Sequence, residues 1–169
     1  MGQLLTESFS LSVALQKRDA YTESHGHRVE VLSVETGIKC GLKLEELKLL
    51  RVSAKLHDIG KIGIPDSILL KPGSFEADEW SIMKTHSEIG DHICQAIPHK
   101  NAKLVANIVR HHHEYFNGEG YPDKLSGEWI PISARIISIV DAYDAMTTTR
   151  PYHNARKHEQ AMEILSSEA

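Results

Sequence analysis

A chain of 169 residues with 41% apolar and 25% charged side chains is long enough for one hydrophobic core and too apolar for disorder. Its net charge of −4 argues against the broad basic surface that DNA or RNA requires, and no apolar run approaches the ~20 residues of a membrane-spanning helix. Two cysteines, Cys40 and Cys94, supply no disulfide framework, and no basic start precedes the first apolar stretch, so one domain in a reducing cytoplasm is expected.

Leu4, Leu11, Ala14 and Leu15 recur at helical spacing and predict a helix over residues 3–17, closed by the polar run Lys17-Arg18-Asp19. A second helix is expected over residues 21–40, stopped by Gly41, with His25, Val29, Leu32 and Thr36 on one face. A third starts at Leu44, with Glu45 and Glu46 where the helix dipole favours anions. It carries Leu47, Leu50, Ala54 and His57 on one stripe before Gly60, which puts His57-Asp58 in its last turn. Prolines and glycines make residues 60–73 irregular.

Ser74 is the expected N-cap of the next helix, in which Ile82, His86, Ile89 and Ile93 line one face. Pro98 separates it from a helix over residues 101–114 that carries Val105, Ile108, Val109 and His112. Residues 117–128 contain Gly118, Gly120, Pro122 and Gly127 and read as a loop of the length usually kept for function. Pro131 opens a helix with Ile137, Val140, Asp141 and Asp144 as near neighbours, and a last helix runs from about Ala155. No stretch alternates with period two, so the expected fold is all-α, a single-domain helical bundle.

Among the eleven histidines, the informative ones fall at core-facing helical positions: His25, His57 beside Asp58, His86, and His112-His113, joined by Asp141. One buried histidine is ordinarily a satisfied core residue. Seven such imidazoles and carboxylates would each cost roughly a few kcal/mol if unpaired, and metal ions satisfy them together. Imidazole and carboxylate donors without cysteine favour iron, manganese, zinc or nickel over calcium. Neighbouring residues in mid-helix point ~100° apart, so two doublets suggest more than one ion. An aspartate can bridge two cations, and Asp58 is the natural bridge.

His57-Asp58-Ile59-Gly60-Lys61 with Ile64-Pro65, then Lys71-Pro72-Gly73, His86 with Gly90, and His112-His113-Glu114 leading into Gly118-Glu119-Gly120-Tyr121-Pro122 resemble the HD-GYP family. Asp141-Ala142-Tyr143-Asp144-Ala145 with Arg150-Pro151-Tyr152, and Tyr21-Thr22 with His25 and Arg28-Val29, extend the resemblance to about residues 11–165. It implies a helical bundle of the HD superfamily with a long GYP loop. It also implies a bacterial, metal-dependent phosphodiesterase that hydrolyses cyclic di-GMP to pGpG or GMP through a metal-bridged hydroxide, in second-messenger signalling.

By this resemblance two divalent ions are expected, iron or manganese, with zinc or nickel as alternatives. His25, His57, Asp58 and Asp141 would hold one, and Asp58, His86, His112 and His113 the other. Asp58 and Lys61 would be catalytic, Lys61 by holding a nonbridging phosphate oxygen, and Lys61, Tyr121 and Arg150 would contact substrate. Each substrate contact has a structural alternative: Lys61 as a solvated loop lysine, Tyr121 packing its own loop, Arg150 pairing with Asp144. Glu114 either orients a ligand histidine or caps its helix. His111 reads as a surface or supporting residue, while His27, His92, His99 and His158 face solvent.

Three positions depart from the family pattern. Some relatives carry a glutamate four residues before His25 that supports a third metal; Tyr21 stands there, which implies two ions. His153 replaces an Arg or Lys, and the chain ends at Ala169 where family domains continue, so a shortened C-terminal end is expected. Two further readings stay open: an HD-type phosphohydrolase acting on another nucleotide, and a signalling module that binds a protein partner through the GYP loop. Oligomeric state, a dimer included, and any attached sensory domain are also open.

Overall fold

The computed structural model describes residues 2–16, 18, 22–149 and 155–167. Its helices are α1 (Gly2–Gln16), α2 (Thr22–Lys39), α3 (Leu44–Leu56), α4 (Asp66–Leu69), α5 (Ala77–Lys84), α6 (His86–Gln95), α7 (Ala102–Arg110), α8 (Ile132–Thr147) and α9 (His158–Ser167). Short 3-10 turns span Ile59–Gly63 and Gly127–Trp129. The described residues are thus all-helical, without strands, and none of their helices is long and apolar enough to cross a membrane.

Helix α3 lies at the centre because it is apolar on two sides. Val52 and Leu56 enter a core with Leu15, Ile59, Cys94, Ile97, Val105 and Val109. Leu50 and Ala54 enter a second core with Val29, Ile108, Ile130, Ala134, Ile137 and Val140. A helix with both faces apolar has to be covered on both, and here α1 and α7 cover one side and α2 and α8 the other. Its start follows the sequence: the Glu46 carboxylate accepts the Lys43 N–H at 2.8 Å. On α1 Ser8, Ser12 and Leu15 are buried and Leu11 packs against the core, whereas Ala14, expected on the apolar stripe, is exposed.

The helix expected from Ser74 through Ile93 is two helices. The first begins at Ala77, where the Glu79 carboxylate accepts the Glu76 N–H at 2.8 Å, so Ser74 is not its cap. It ends at Thr85, whose hydroxyl and amide both donate to the Ile82 carbonyl, at 2.7 and 3.0 Å. That local bonding competes with continuation of the helix. Consequently Ile82 is 41% exposed and shares no face with the buried His86.

The next helix is also shorter than expected, stopping at Arg110 rather than Glu114. The ring nitrogens of His111 and His112 donate to the Asn107 and Val109 carbonyls at 2.8 and 2.6 Å. Side chains thereby take acceptors that later backbone amides would have used.

Residues 59–73 are ordered by packing and by one cation. Ile64 and Ile68 pack on Met83 with Phe75 and Ile89 beside them. The Arg18 guanidinium donates to the carbonyls of Lys61, Ile62 and Ile64 and pairs with Asp66 at 2.7 Å. Gly60 lets the turn press onto α6, since a Cβ there would lie 1.8 Å from the His86 carbonyl oxygen and 2.6 Å from the Gly90 nitrogen. That approach carries Asp58 to His86.

Candidate metal centre

Helices α2, α6 and α8 and the turns that end α3 and α7 each deliver polar side chains to one buried point. His25, His57, Asp58, His86 and His112 are all 6% exposed or less. His25 Nε2 lies 3.2 Å from Asp141 Oδ1 and 4.0 Å from Asp58 Oδ2; His57 Nε2 lies 3.4 Å from Asp58 Oδ2. On the other side, His86 Nε2 is 3.7 Å from Asp58 Oδ1 and 3.4 Å from His112 Nε2. The His112 and His113 rings have their centroids 4.0 Å apart.

These atoms form two groups with metal-ligand spacing, His25–His57–Asp58 and His86–His112–His113, each with its donor atoms within 4.8 Å of one another. Both members of each doublet fall in the same group, so the expectation drawn from ~100° divergence does not apply. The reason is that neither doublet is in mid-helix: His57 caps α3, Asp58 follows it, and His112-His113 lie beyond the end of α7. The division into two groups comes instead from Asp58, whose two oxygens face different histidines.

The rings are aimed by their outer nitrogens. His57, His86 and His112 donate Nδ1–H to the carbonyls of Ala54, Met83 and Val109 at 2.8, 2.8 and 2.6 Å, which leaves Nε2 as the inward donor. His25 instead donates Nδ1–H to Asp144 Oδ2 at 2.7 Å. The sequence places Asp144 beside Asp141 and within reach of Arg150, and the structure adds its bond to His25. The signal was present: His25 with Arg28 on α2 and Asp141 with Asp144 on α8 are both three-residue spacings, which place each pair on one helix face.

Electrostatics favour cation binding. Burial, then the neighbouring His57 and His86, push His112 down to about 3, and burial lowers His86 and His113 too. These rings are therefore neutral, the form that ligates metal. Burial opposes ionisation of Asp58, but Lys61 and His57 hold its carboxyl well below the usual range. Burial also opposes protonation of His25, yet hydrogen bonds to Asp141 and Asp144 raise it to about 9. His57 Nε2 is buried without a hydrogen-bond partner. An orphaned imidazole nitrogen beside an ionised carboxylate is a donor set that divalent metal ions fit.

Lys61 is not a free loop lysine: its Nζ lies 2.7 Å from Asp58 Oδ2. Tyr121 stacks on His113 with centroids 4.8 Å apart and meets Trp80 edge-on. Gly120 permits this, because a Cβ there would lie 2.3 Å from the Tyr115 nitrogen. Tyr21, Arg150 and His153 lie outside the described residues.

Glu114 neither orients a ligand histidine nor caps α7; its oxygens accept the Asp123 and Leu125 amides at 2.7 and 3.0 Å. His111 and Arg110 bind the Asp123 carboxylate at 2.8 and 2.6 Å. The group His111–Glu114–Asp123 has metal-like spacing, but its donors are engaged and a guanidinium already occupies the carboxylate. It is a clasp for the GYP loop. Glu114→Ala is expected to cost about 3 kcal/mol through loss of two hydrogen bonds to a buried charge. Amide exchange at Asp123 and Leu125 should accelerate with it, and unchanged protection at those two amides would remove the clasp role.

A model of the HD domain family matches residues 10–169. The chain is 39% identical over 155 residues to the cyclic di-GMP phosphodiesterase response regulator RpfG of Xanthomonas campestris pv. campestris, covering 92% of this chain and 41% of that protein. It is 40% identical over 157 residues to a cyclic di-GMP phosphodiesterase of Thermotoga maritima, covering 93% and 43%. With the 3'3'-cGAMP-specific phosphodiesterase 2 of Vibrio cholerae it shares 37% identity over 160 residues, covering 95% and 31%. The chain thus spans less than half the length of these curated relatives. Among solved structures, Bd1817, an HDG"Y"P protein from Bdellovibrio bacteriovorus, superposes with a TM-score of 0.70 at 27% identity, covering 86% of this chain and 46% of that one.

Proposed function

Because the chain belongs to the HD domain family, in its HD-GYP branch, we propose that it is a metal-dependent phosphodiesterase hydrolysing cyclic di-GMP to pGpG or GMP in bacterial second-messenger signalling. The observation that carries this reading is the buried cage in which Asp58 turns one oxygen to each histidine group. His25, His57, Asp58 and Asp141 would hold one divalent ion, and Asp58, His86, His112 and His113 the other, with iron or manganese as the ions. Such a pair, when bound, lowers the pKa of water and neutralises phosphate charge.

The remaining work falls to the chain's own residues. The side chains of Asp141 and Lys61 are 24% and 26% exposed and mark the open side of the cage. A cavity of about 200 Å³, lined by Phe9, Leu15, Glu30, Lys55, His57 and Asp58, also reaches the cage, but it is below the roughly 300 Å³ at which ligand pockets begin. The phosphodiester therefore approaches past Lys61, which holds a nonbridging oxygen, and past Tyr121, whose ring offers an edge to a base. Arg150 adds a planar cationic fork to the same substrate. Tyr115, Phe116 and Trp129 are 50%, 58% and 84% exposed beside the GYP loop and suit a protein partner. The setting of the reaction is the cytoplasm.

A second substrate reading, cyclic GMP-AMP, is favoured by the resemblance to the cGAMP-specific relative. Protein loaded anaerobically with Fe(II) or Mn(II) is expected to bind two ions and to release linear product from cyclic di-GMP, and to lose activity to a chelator. Faster turnover of cyclic GMP-AMP would transfer the assignment to that substrate. No hydrolysis of either by protein holding two ions would end it. Lys61→Ala should keep both ions and lower kcat about 10²-fold, the usual cost of losing one preorganised donor to transition-state charge. Unchanged kinetics would return Lys61 to a structural partner of Asp58.

A further inference from the structure

Four imidazoles of the centre have their outer nitrogens bound, but to different kinds of acceptor. His57, His86 and His112 each use a backbone carbonyl three residues earlier. His25 uses a carboxylate, Asp144, which is 2% exposed and is gripped by Arg28 Nε and Nη2 at 2.5 and 2.9 Å. A carboxylate behind an imidazole raises its strength as a metal donor and fixes its tautomer and direction. Arg28 keeps the carboxylate in register with His25 while sharing its charge.

The two groups also differ in charge of their own. Asp58 Oδ2 and Asp141 Oδ1 both lie against the His25–His57 group. Among the described residues, the carboxylate oxygen beside the His86–His112–His113 group is Asp58 Oδ1. Among the described residues, two carboxylates with a third behind His25 face one pole, where Lys61 on Asp58 Oδ2 at 2.7 Å and Arg28 on Asp144 offset part of their charge; three neutral imidazoles and half of a shared carboxylate face the other. Divalent cations bind more tightly where the Coulomb attraction is larger, above all in a buried, weakly screened site.

We propose that Asp144 is a positioning residue that makes the His25–His57–Asp58–Asp141 pole the tighter one, so that divalent ions load in order, this pole first and the His86–His112–His113 pole second. The inference rests on the dinuclear reading above and is independent of which cyclic dinucleotide is cleaved.

The test is calorimetric titration of metal-free protein with Mn(II), followed by electron paramagnetic resonance at one and two equivalents. Two resolved steps are expected, with an isolated-ion spectrum at one equivalent and a coupled-pair spectrum at two. Asp144→Ala should weaken the first step by about 10- to 100-fold. Asp144→Asn should restore part of it, because an amide oxygen still accepts the His25 Nδ1–H. His86→Ala should keep the tight step and Asp141→Asn should lose it.

Glu30→Gln controls for general loss of stability, since Glu30 is a buried α2 carboxylate paired with Arg51 at 2.7 Å; it should leave both steps in place. Two ions binding in one unresolved step would overturn the loading order while leaving the dinuclear reading intact. So would a tight step lost in His86→Ala and kept in Asp141→Asn. Equal weakening by Asp144→Ala and Glu30→Gln would overturn the role of Asp144. Failure of the wild-type chain to bind any divalent ion would overturn the dinuclear reading itself, and this inference with it.

Discussion

Asp58→Asn is expected to abolish turnover and to leave the protein with fewer metal ions than the wild type. Asp58 is 6% exposed, and its two oxygens face separate histidine groups, Oδ2 at 3.4 Å from His57 Nε2 and Oδ1 at 3.7 Å from His86 Nε2. An amide keeps the shape but replaces one oxygen by a nitrogen that cannot ligate, and it removes the negative charge that both groups share. Loss of an outer partner of a metal ligand typically costs about 10- to 100-fold; loss of the bridge itself should exceed that. Metal analysis together with product separation reads both consequences. Full metal content with undiminished turnover would remove Asp58 from the mechanism.

Gly60→Ala is expected to be the most damaging change outside the cage. Its Cβ would lie 1.8 Å from the His86 carbonyl oxygen and 2.6 Å from the Gly90 nitrogen. Both obstacles are backbone, so no side chain can swing aside, and the 59–63 turn or α6 has to move. Overpacking costs about 1–3 kcal/mol where side chains can yield, and here the upper end or beyond is expected. For a chain of this size about 3 kcal/mol lowers Tm by roughly 6 to 12 °C. The same movement separates Asp58 from His86, so activity should fall further than stability accounts for at temperatures where the variant is still folded. A thermal scan with metal content and turnover on one preparation checks this, and a Tm within a degree of wild type would show that the turn accommodates the methyl group.

The sequence by itself determined the helical class, the identity of the polar residues that meet in the core, and the loop that leans on them. Apolar periodicity is a property of consecutive residues, and a run such as Leu47, Leu50, Ala54 and His57 states which face is buried before any partner is known. Seven ionisable groups on such faces are too costly to bury separately, which pointed to one shared site.

Only the tertiary structure decided how those residues are aimed. The break at Thr85 and the early end of α7 depend on one and two side-chain hydrogen bonds to carbonyls, respectively, which compete with a helix that the local sequence otherwise supports. The Asp144–His25 bond spans 119 positions, and the Glu114 bonds to the Asp123 and Leu125 amides join residues that share no helix face. Distances of this kind are set by how α2 lies against α8 and how the loop folds back on α7. Periodicity tells which side of each helix is inward; the direction in which an inward side chain points depends on where its neighbours end.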